Sequence, residues 1–190
     1  MDVTEPSQNK DGSIYVCPLS AVPDVVMRCK ASHLLTCLQD EIVVETPAHI
    51  KAGKHGRLYI HDISQPLDGC VLPGPEHVAQ IIDFAREWGG QGPMVIHCWA
   101  GISRSTAAAL ISLCTLNPDV PEEVIAQHMR EASPTAYPNG RMIQLADEAL
   151  GRRGRLVTAV HSMGRGMIAA EAAPFWLPAD FSSFAQRQPA

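Results

Sequence analysis

The chain has 190 residues, a net charge of −5, 46% hydrophobic residues and 18% charged residues. Its length suits one domain with a sizeable core, and its acidic balance argues against a general affinity for nucleic acid or for anionic membranes. No stretch reaches the roughly 18 uninterrupted apolar residues of a membrane-spanning helix. The first residues lack the pattern of a signal peptide, so we expect a cytoplasmic protein.

Strand-like and helix-like segments alternate along the chain. Short apolar runs predict strands over 14–17, 33–38, 56–61 and 94–98. The helical spacing of apolar residues predicts helices within 20–29 and over 75–88, 105–113, 121–132, 140–150 and 156–163. The stretch between the second and third strands is expected to be irregular.

This alternation predicts an α/β fold, a single domain with a mostly parallel sheet of four or five strands flanked by helices. We assign residues 1–165 to that domain. Residues 166–190 are expected to form a C-terminal extension that is partly docked, because Phe175, Trp176 and Leu177 need an apolar surface to cover them.

The most informative functional pattern lies where the strand over 94–98 meets the helix that follows it. His97 and Cys98 end the apolar run, and Arg104 and Ser105 follow a five-residue loop. Ligands of open parallel sheets bind at the carboxyl ends of the strands. Because Cys98 ends its strand, we expect its sulfur at that edge. The N-terminus of the next helix points at the same place, and its free N–H groups favour an anion and a thiolate.

The loop residues suit a site for a phosphate-sized anion. The guanidinium of Arg104 can bind two phosphate oxygens at once, and Gly101 lets the backbone curl so that successive N–H groups face inward. We therefore expect phosphate to be bound by Trp99, Ala100, Gly101, Ile102, Ser103 and Arg104. Ser105 is expected to hydrogen-bond the sulfur and to stabilise it as a leaving group, and His97 to orient the loop.

The pattern His97-Cys98-x-x-Gly101-x-x-Arg104-Ser105 resembles the signature of the cysteine-dependent protein tyrosine phosphatase superfamily, particularly its compact dual-specificity-like branch. The resemblance extends more weakly over residues 14–151. It implies a phosphomonoester hydrolase that forms a cysteinyl-phosphate intermediate and needs no metal or cofactor. Its substrate would be a phosphorylated protein, chiefly at tyrosine, or a small phosphoester, and a phosphate or sulfate ion would bind in the loop.

The same resemblance implies an upstream aspartate that protonates the leaving oxygen. Asp62 follows the predicted strand over 56–61, whereas Asp68 lies in a turn-like segment ahead of a glycine. We favour Asp62 as the general acid and keep Asp68 as the alternative. Asn139 lies in a Pro-Asn segment that relatives place behind the signature loop, and it either steadies that loop or caps the next helix.

The six cysteines show no metal-binding spacing, so no metal site is predicted. Cys17, Cys37 and Cys114 have apolar neighbours and are expected to be buried. Cys70 lies in the candidate acid loop. Since relatives protect their nucleophile by a reversible disulfide, Cys70 is a candidate to pair with oxidised Cys98.

Other functions remain compatible with the sequence. The family resemblance also bears on phosphoinositide substrates: relatives that take them often carry lysine at the variable loop positions, and this chain has none there, which disfavours such substrates. A non-catalytic phosphate-binding module is an alternative, although Cys98, Arg104 and both acid candidates are all present. A phosphatase for a non-protein phosphoester, or a sulfur transferase that carries persulfide on Cys98, are further alternatives. The preference between tyrosine and serine or threonine, and the oligomeric state, stay open.

Overall fold

The computed structural model describes residues 12–185 around a central five-stranded sheet. The strands are β1 (Ser13–Pro18), β2 (His33–Leu38), β3 (His55–Tyr59), β4 (Pro93–Cys98) and β5 (Phe175–Pro178). Their order across the sheet is β3-β2-β4-β1-β5. The first four strands pair in parallel and β5 pairs antiparallel with β1, so the predicted α/β fold with a mostly parallel sheet is confirmed.

Helices cover both faces of this sheet. They are α1 (Val22–Cys29), α2 (Pro75–Trp88), α3 (Arg104–Leu116), α4 (Glu122–Ala132), α5 (Gly140–Ala149), α6 (Arg155–Ser162) and α7 (Ser182–Ala185). A short 3-10 turn, Leu19–Ala21, precedes α1. Within the described chain, no helix combines the length and the apolar character needed to cross a membrane.

The central strands β2 and β4 are buried at every position because helices pack on both of their faces. Leu34 and Val95 pack with Val26 of α1 in a smaller apolar cluster. Leu35 and Ile96 point to the opposite face and belong to the main core beneath the other helices. Side chains therefore alternate between two cores along each strand, and Cys98 ends the strand in the middle of the sheet.

The predicted third strand is displaced by a residue or two relative to β3. The Ile60 N–H still donates to the Leu38 carbonyl at 3.0 Å, but the His61 N–H donates to the carbonyl of Val71 at 2.9 Å. The chain therefore leaves the sheet after Ile60 and enters the loop that carries both aspartate candidates.

The segment after residue 165 adds to the same sheet through β5. Phe181 is fully buried in the main core, and Asn117 holds the segment by donating to the Ala179 carbonyl and accepting from the Phe181 N–H, both at 2.8 Å. Residues 1–11 of the predicted domain and 186–190 of the predicted extension lie outside the described residues.

Candidate active site

The signature loop, residues 99–103, joins the end of β4 to the start of α3. Cys98 and Arg104 stand at its two ends and are buried, with 2% and 5% of their surface exposed. The Ser105 hydroxyl oxygen lies 3.1 Å from the Cys98 sulfur, close enough to hydrogen-bond it. The fold thus brings the predicted nucleophile, guanidinium and hydroxyl together at the carboxyl edge of the sheet.

Four of the five carbonyl groups of the signature loop accept hydrogen bonds from other segments, which hold them away from the centre of the loop. The carbonyl at position 99 accepts from the Leu19 N–H at 3.0 Å, and the carbonyl at position 100 accepts from the Ala172 N–H at 2.8 Å. The carbonyl at position 102 accepts from the Tyr137 N–H at 2.9 Å, and the carbonyl at position 103 accepts from the Asn139 N–H at 3.3 Å. A trans peptide holds its C=O and N–H on opposite sides. The following N–H groups therefore face the centre of the loop, where they form a nest for an anion.

Gly101 lets this loop lie directly against the end of β1. Its φ of +73° belongs to the left-handed region, and a Cβ there would lie 2.8 Å from both the carbonyl carbon of Cys17 and the nitrogen of Pro18. Glycine is required at this position for its conformation and for its lack of a side chain.

Arg104 has one guanidinium nitrogen fixed and another left for a ligand. Its Nη1 donates to the Ile60 carbonyl at 3.0 Å, whereas its Nε is buried and has no hydrogen-bond partner within residues 12–185. Because a buried donor without a partner costs about 1–3 kcal/mol, this nitrogen is suited to bind an oxygen of an anion in the loop.

His97 is fully buried behind the nucleophile. Its Nε2 lies 2.8 Å from the Thr36 hydroxyl and its Nδ1 lies 3.4 Å from the Cys98 carbonyl oxygen. Burial, together with the nearby charge of Arg104, lowers the pKa of His97 to about 4. The imidazole is therefore neutral near pH 7, which suits an orienting role better than proton transfer.

The two aspartate candidates lie in different surroundings. Asp62 is exposed at the rim of the signature loop, and its Oδ1 accepts from the Ser103 hydroxyl at 2.7 Å and from the Asn139 amide at 2.9 Å. Both of these bonds go to Oδ1, and Oδ2 accepts no hydrogen bond from residues 12–185. Asp68 is exposed in a turn closed by the Cys70 N–H and the Leu67 carbonyl. Over the described range it makes no hydrogen bond or ion pair with the signature loop.

Asn139 combines the two alternatives that the sequence left open. Its Oδ1 accepts from the Met142 N–H at 3.2 Å and so caps α5. Its amide nitrogen donates to Asp62, as described above, and at 3.4 Å to the carbonyl of Ile63. The same side chain therefore begins a helix and connects the aspartate to the segment behind the loop.

Arg130 and Thr36 support the site but were not predicted from the sequence. The guanidinium of Arg130, in the last turn of α4, donates to the carbonyls of Ser133, Pro134, Ala136, Met163 and Gly164. It thereby fixes the segment that carries Tyr137 and Asn139. Thr36 is the other, and its hydroxyl within the apolar run of β2 was a signal that could have identified it.

The remaining cysteines differ from Cys98. All six cysteines are free thiols. Burial raises the pKa of Cys17 to about 12 and raises the pKa of Cys37 as well, so both stay protonated near neutral pH. Cys70 is half-buried in the acid loop, and its pairing with Cys98 stays a prediction. No group of His, Cys, Asp or Glu able to hold a metal ion occurs between residues 12 and 185.

Comparisons with known proteins identify the family and the fold of the chain. A family model described as protein-tyrosine phosphatase matches residues 39–136. The structure of DUSP15 is similar at a TM-score of 0.57 and 21% identity, covering 82% of this chain and 94% of that one. The human tyrosine phosphatase-like serine/threonine/tyrosine-interacting protein has a TM-score of 0.55 and 16% identity, with 76% and 96% covered.

A third similar structure is PTPMT1 in complex with PI(5)P, at a TM-score of 0.54 and 16% identity, covering 78% of this chain and 94% of that one. At these identities the likeness is one of fold. No curated protein matches the chain.

Proposed function

The chain belongs to the protein-tyrosine phosphatase family, and from that premise we propose that it hydrolyses phosphomonoesters of proteins, chiefly phosphotyrosine, through a cysteinyl-phosphate intermediate. The observation that carries the proposal is the signature loop itself. Four of its carbonyls are held outward by hydrogen bonds to other segments, and a buried thiol and a buried guanidinium stand at its two ends. Such a loop is a preorganised site for an oxyanion next to a nucleophile.

In the first step the Cys98 thiolate attacks phosphorus in line with the leaving oxygen. The S–P bond forms as the P–O bond to the leaving group breaks, and the Asp62 carboxyl gives its proton to the departing oxygen. Arg104 and the inward N–H groups bind the equatorial oxygens, where negative charge is concentrated during the transfer.

In the second step water attacks the phosphorus of the cysteinyl phosphate. Asp62, now a carboxylate, accepts a proton from that water, the S–P bond breaks and inorganic phosphate is released. The sulfur leaves as a thiolate, and the Ser105 hydroxyl, 3.1 Å away, donates a hydrogen bond that stabilises it.

A catalytic role is favoured over a phosphate-binding module because the residues of both steps are connected. Ser103 of the signature loop donates to Asp62, so a carboxyl group sits at the rim of the anion nest rather than elsewhere on the surface. A module that only binds phosphate gains nothing from a carboxylate there, since like charges repel.

A reducing compartment is part of the same proposal. A nucleophilic Cys98 is inactivated by oxidation, and free thiols persist in the cytosol, where disulfides are rare. The proposed mechanism needs Cys98 as a free thiol, and we infer a cytoplasmic protein on that basis.

The test is turnover of p-nitrophenyl phosphate and of a phosphotyrosine peptide by the wild-type chain and by Cys98→Ser. Cys29→Ser, at the end of α1 on the far face of the sheet, is the matched control. We expect hydrolysis by the wild type and the control, loss in Cys98→Ser, and a phosphocysteine trapped by rapid acid quench. Hydrolysis that survives in Cys98→Ser, or its absence in the wild type between about pH 5 and pH 8, would contradict the proposal.

A further inference from the structure

A series of hydrogen-bonding side chains runs behind the signature loop, across three strands. Thr36 of β2 lies directly opposite His97 of β4 and directly opposite Arg57 of β3. His55 is two residues before Arg57 on the same strand, and side chains two residues apart share a face. The four side chains therefore lie on one face of the sheet, the face that α1 covers.

The distances make this series continuous. The Thr36 hydroxyl oxygen lies 2.8 Å from His97 Nε2 and 2.8 Å from His55 Nε2. On its other side, His55 Nδ1 lies 2.8 Å from the Thr46 hydroxyl oxygen, which accepts from Arg57 Nη2 at 2.9 Å. We call this series the relay; its members are Arg57, Thr46, His55, Thr36 and His97, and it ends at the Cys98 carbonyl.

The chemistry of its two ends fixes the direction of the relay. A guanidinium can only donate and a carbonyl oxygen can only accept, so each hydroxyl must pass its hydrogen toward Cys98. A neutral imidazole has one donor and one acceptor nitrogen, as this direction requires. Burial lowers the pKa of both His55 and His97 to about 4, with Arg57 adding to the effect at His55.

One arrangement of hydrogens satisfies every member. Arg57 donates to Thr46, and Thr46 donates to Nδ1 of His55. The Nε2–H of His55 then donates to Thr36. Thr36 in turn donates to Nε2 of His97, whose Nδ1–H points at the Cys98 carbonyl.

We propose that Arg57, Thr46, His55 and Thr36 are positioning residues, which act through His97 to hold the signature loop in its anion-binding conformation. The kinetic part of this inference rests on the proposed function, whereas the hydrogen arrangement does not. His97 is locked as the Nδ1–H tautomer because Thr36 has its own hydrogen directed at Nε2. The Nε2–H tautomer would place two hydrogens between Nε2 and the Thr36 hydroxyl oxygen, and it would leave the Cys98 carbonyl without a donor.

The relay also carries an electrostatic consequence. Each of its N–H and O–H dipoles has its positive end toward the loop, and hydrogen bonds in series polarise one another. The charged groups that face it are Arg57 at its start and Arg104, from α3, beside its end. Their charge and the aligned dipoles favour an anion at Cys98, either the thiolate or the bound phosphate.

The first experiment removes one hydroxyl in the middle of the relay. Thr36→Val keeps the shape of the side chain but removes its hydrogen bonds to both His55 and His97. We expect kcat/KM for p-nitrophenyl phosphate to fall roughly tenfold, mostly in kcat, because the lost bond to His97 is the one that reaches the signature loop. The acid limb of the pH profile should move to higher pH, because the thiolate is less favoured. Thr36→Ser, which restores the hydroxyl, should recover both. The control is Thr158→Val, whose hydroxyl donates within α6.

A double-mutant cycle separates a relay from independent structural contacts. Thr46→Val breaks the series nearer its exposed end and should lower kcat/KM by roughly threefold in the wild-type background. In the Thr36→Val background the series is already broken, so the same change should have no further effect. Additive losses from the two substitutions, or a Thr36→Val protein with unchanged kcat and pH profile, would overturn the proposal.

An NMR measurement tests the hydrogen arrangement without any turnover. The ring-nitrogen shifts of a ¹⁵N-histidine-labelled sample at about pH 7 should show His97 as the Nδ1–H tautomer and His55 as the Nε2–H tautomer. The opposite tautomers, or an imidazolium at either position, would refute the relay. If the wild type hydrolysed no phosphoester but showed these tautomers, the proposed function would fail while the relay stood.

Discussion

Replacing Gly101 by alanine tests whether the signature loop depends on its close approach to β1. Alanine at a φ of +73° costs about 1–2 kcal/mol. The new Cβ would also lie 2.8 Å from the backbone of Cys17 and Pro18, and relieving such overpacking typically costs a further ~1–3 kcal/mol. We therefore expect Gly101→Ala to reduce the free energy of unfolding by about 2–5 kcal/mol.

The effect on catalysis should be larger than the effect on stability. To relieve the contact, the loop must move away from β1, and that movement changes the position of Cys98 relative to Arg104. A displacement on the order of 1 Å between reacting groups can reduce the rate by about 100-fold. The assay is kcat/KM for p-nitrophenyl phosphate together with thermal unfolding of the same samples.

Gly151→Ala is the matched control. Gly151 has a φ of +64°, and a Cβ there would meet nothing within 4 Å, so the substitution has the backbone cost alone. It should lower Tm by roughly 2–8 °C and leave kcat/KM unchanged. A Gly101→Ala protein with kcat/KM within about threefold of the wild type, or with no larger loss of stability than Gly151→Ala, would refute the packing argument.

Further predictions concern the acid, its partner and the buried imidazole. Asp62→Asn should lower kcat for a phosphotyrosine peptide by roughly 100-fold or more. Its kcat for p-nitrophenyl phosphate, which has a better leaving group, should fall less. If Asp68→Asn and not Asp62→Asn showed these losses, Asp68 would be the general acid. Asn139→Ala should lower kcat and also reduce the free energy of unfolding by about 1 kcal/mol, because it removes the cap of α5. Asn139→Asp keeps a capping oxygen but places a second carboxylate beside Asp62. Its kcat should therefore fall, whereas its free energy of unfolding should fall less than that of Asn139→Ala. Equal losses of the free energy of unfolding in both variants would contradict the dual role of Asn139. Burial lowers the pKa of His97 from 6.5 to about 4, so the unfolded chain binds more protons between these values. As the pH drops through that window, His97 should contribute about 3 kcal/mol to the fall in the free energy of unfolding, in addition to the contribution of His55, whose pKa is also lowered to about 4. Urea titrations at both ends of the window measure this loss, and a His97→Gln protein with the same pH dependence would show that another group causes it.

The elements that the sequence located well are those with strong local signals. The helix α2 begins at a proline after a glycine and ends before a pair of glycines, so residues 75–88 carry their own start and stop signals. The strand β2 is an unbroken apolar run over 33–38, as expected of a strand buried on both faces.

The elements that the sequence located less well depend on partners distant along the chain. The short strand β5 exists because Phe175–Pro178 pairs with β1, more than a hundred and fifty residues earlier in the chain. His55 lies at the end of a stretch expected to be irregular, and its place in β3 becomes evident only beside β2.

The sequence by itself identified the chemical groups of the candidate site: a thiol and a guanidinium separated by a glycine-containing loop between a strand and a helix. These features are local, because neighbours along the chain set the conformation of a loop and the start of a helix. Only the tertiary structure decided which groups surround that loop. Asp62 meets Ser103 across 41 positions and Asn139 across 77, and Thr36 meets His97 across 61. Such contacts arise when strands and loops distant in sequence pack side by side, and no local pattern specifies that packing.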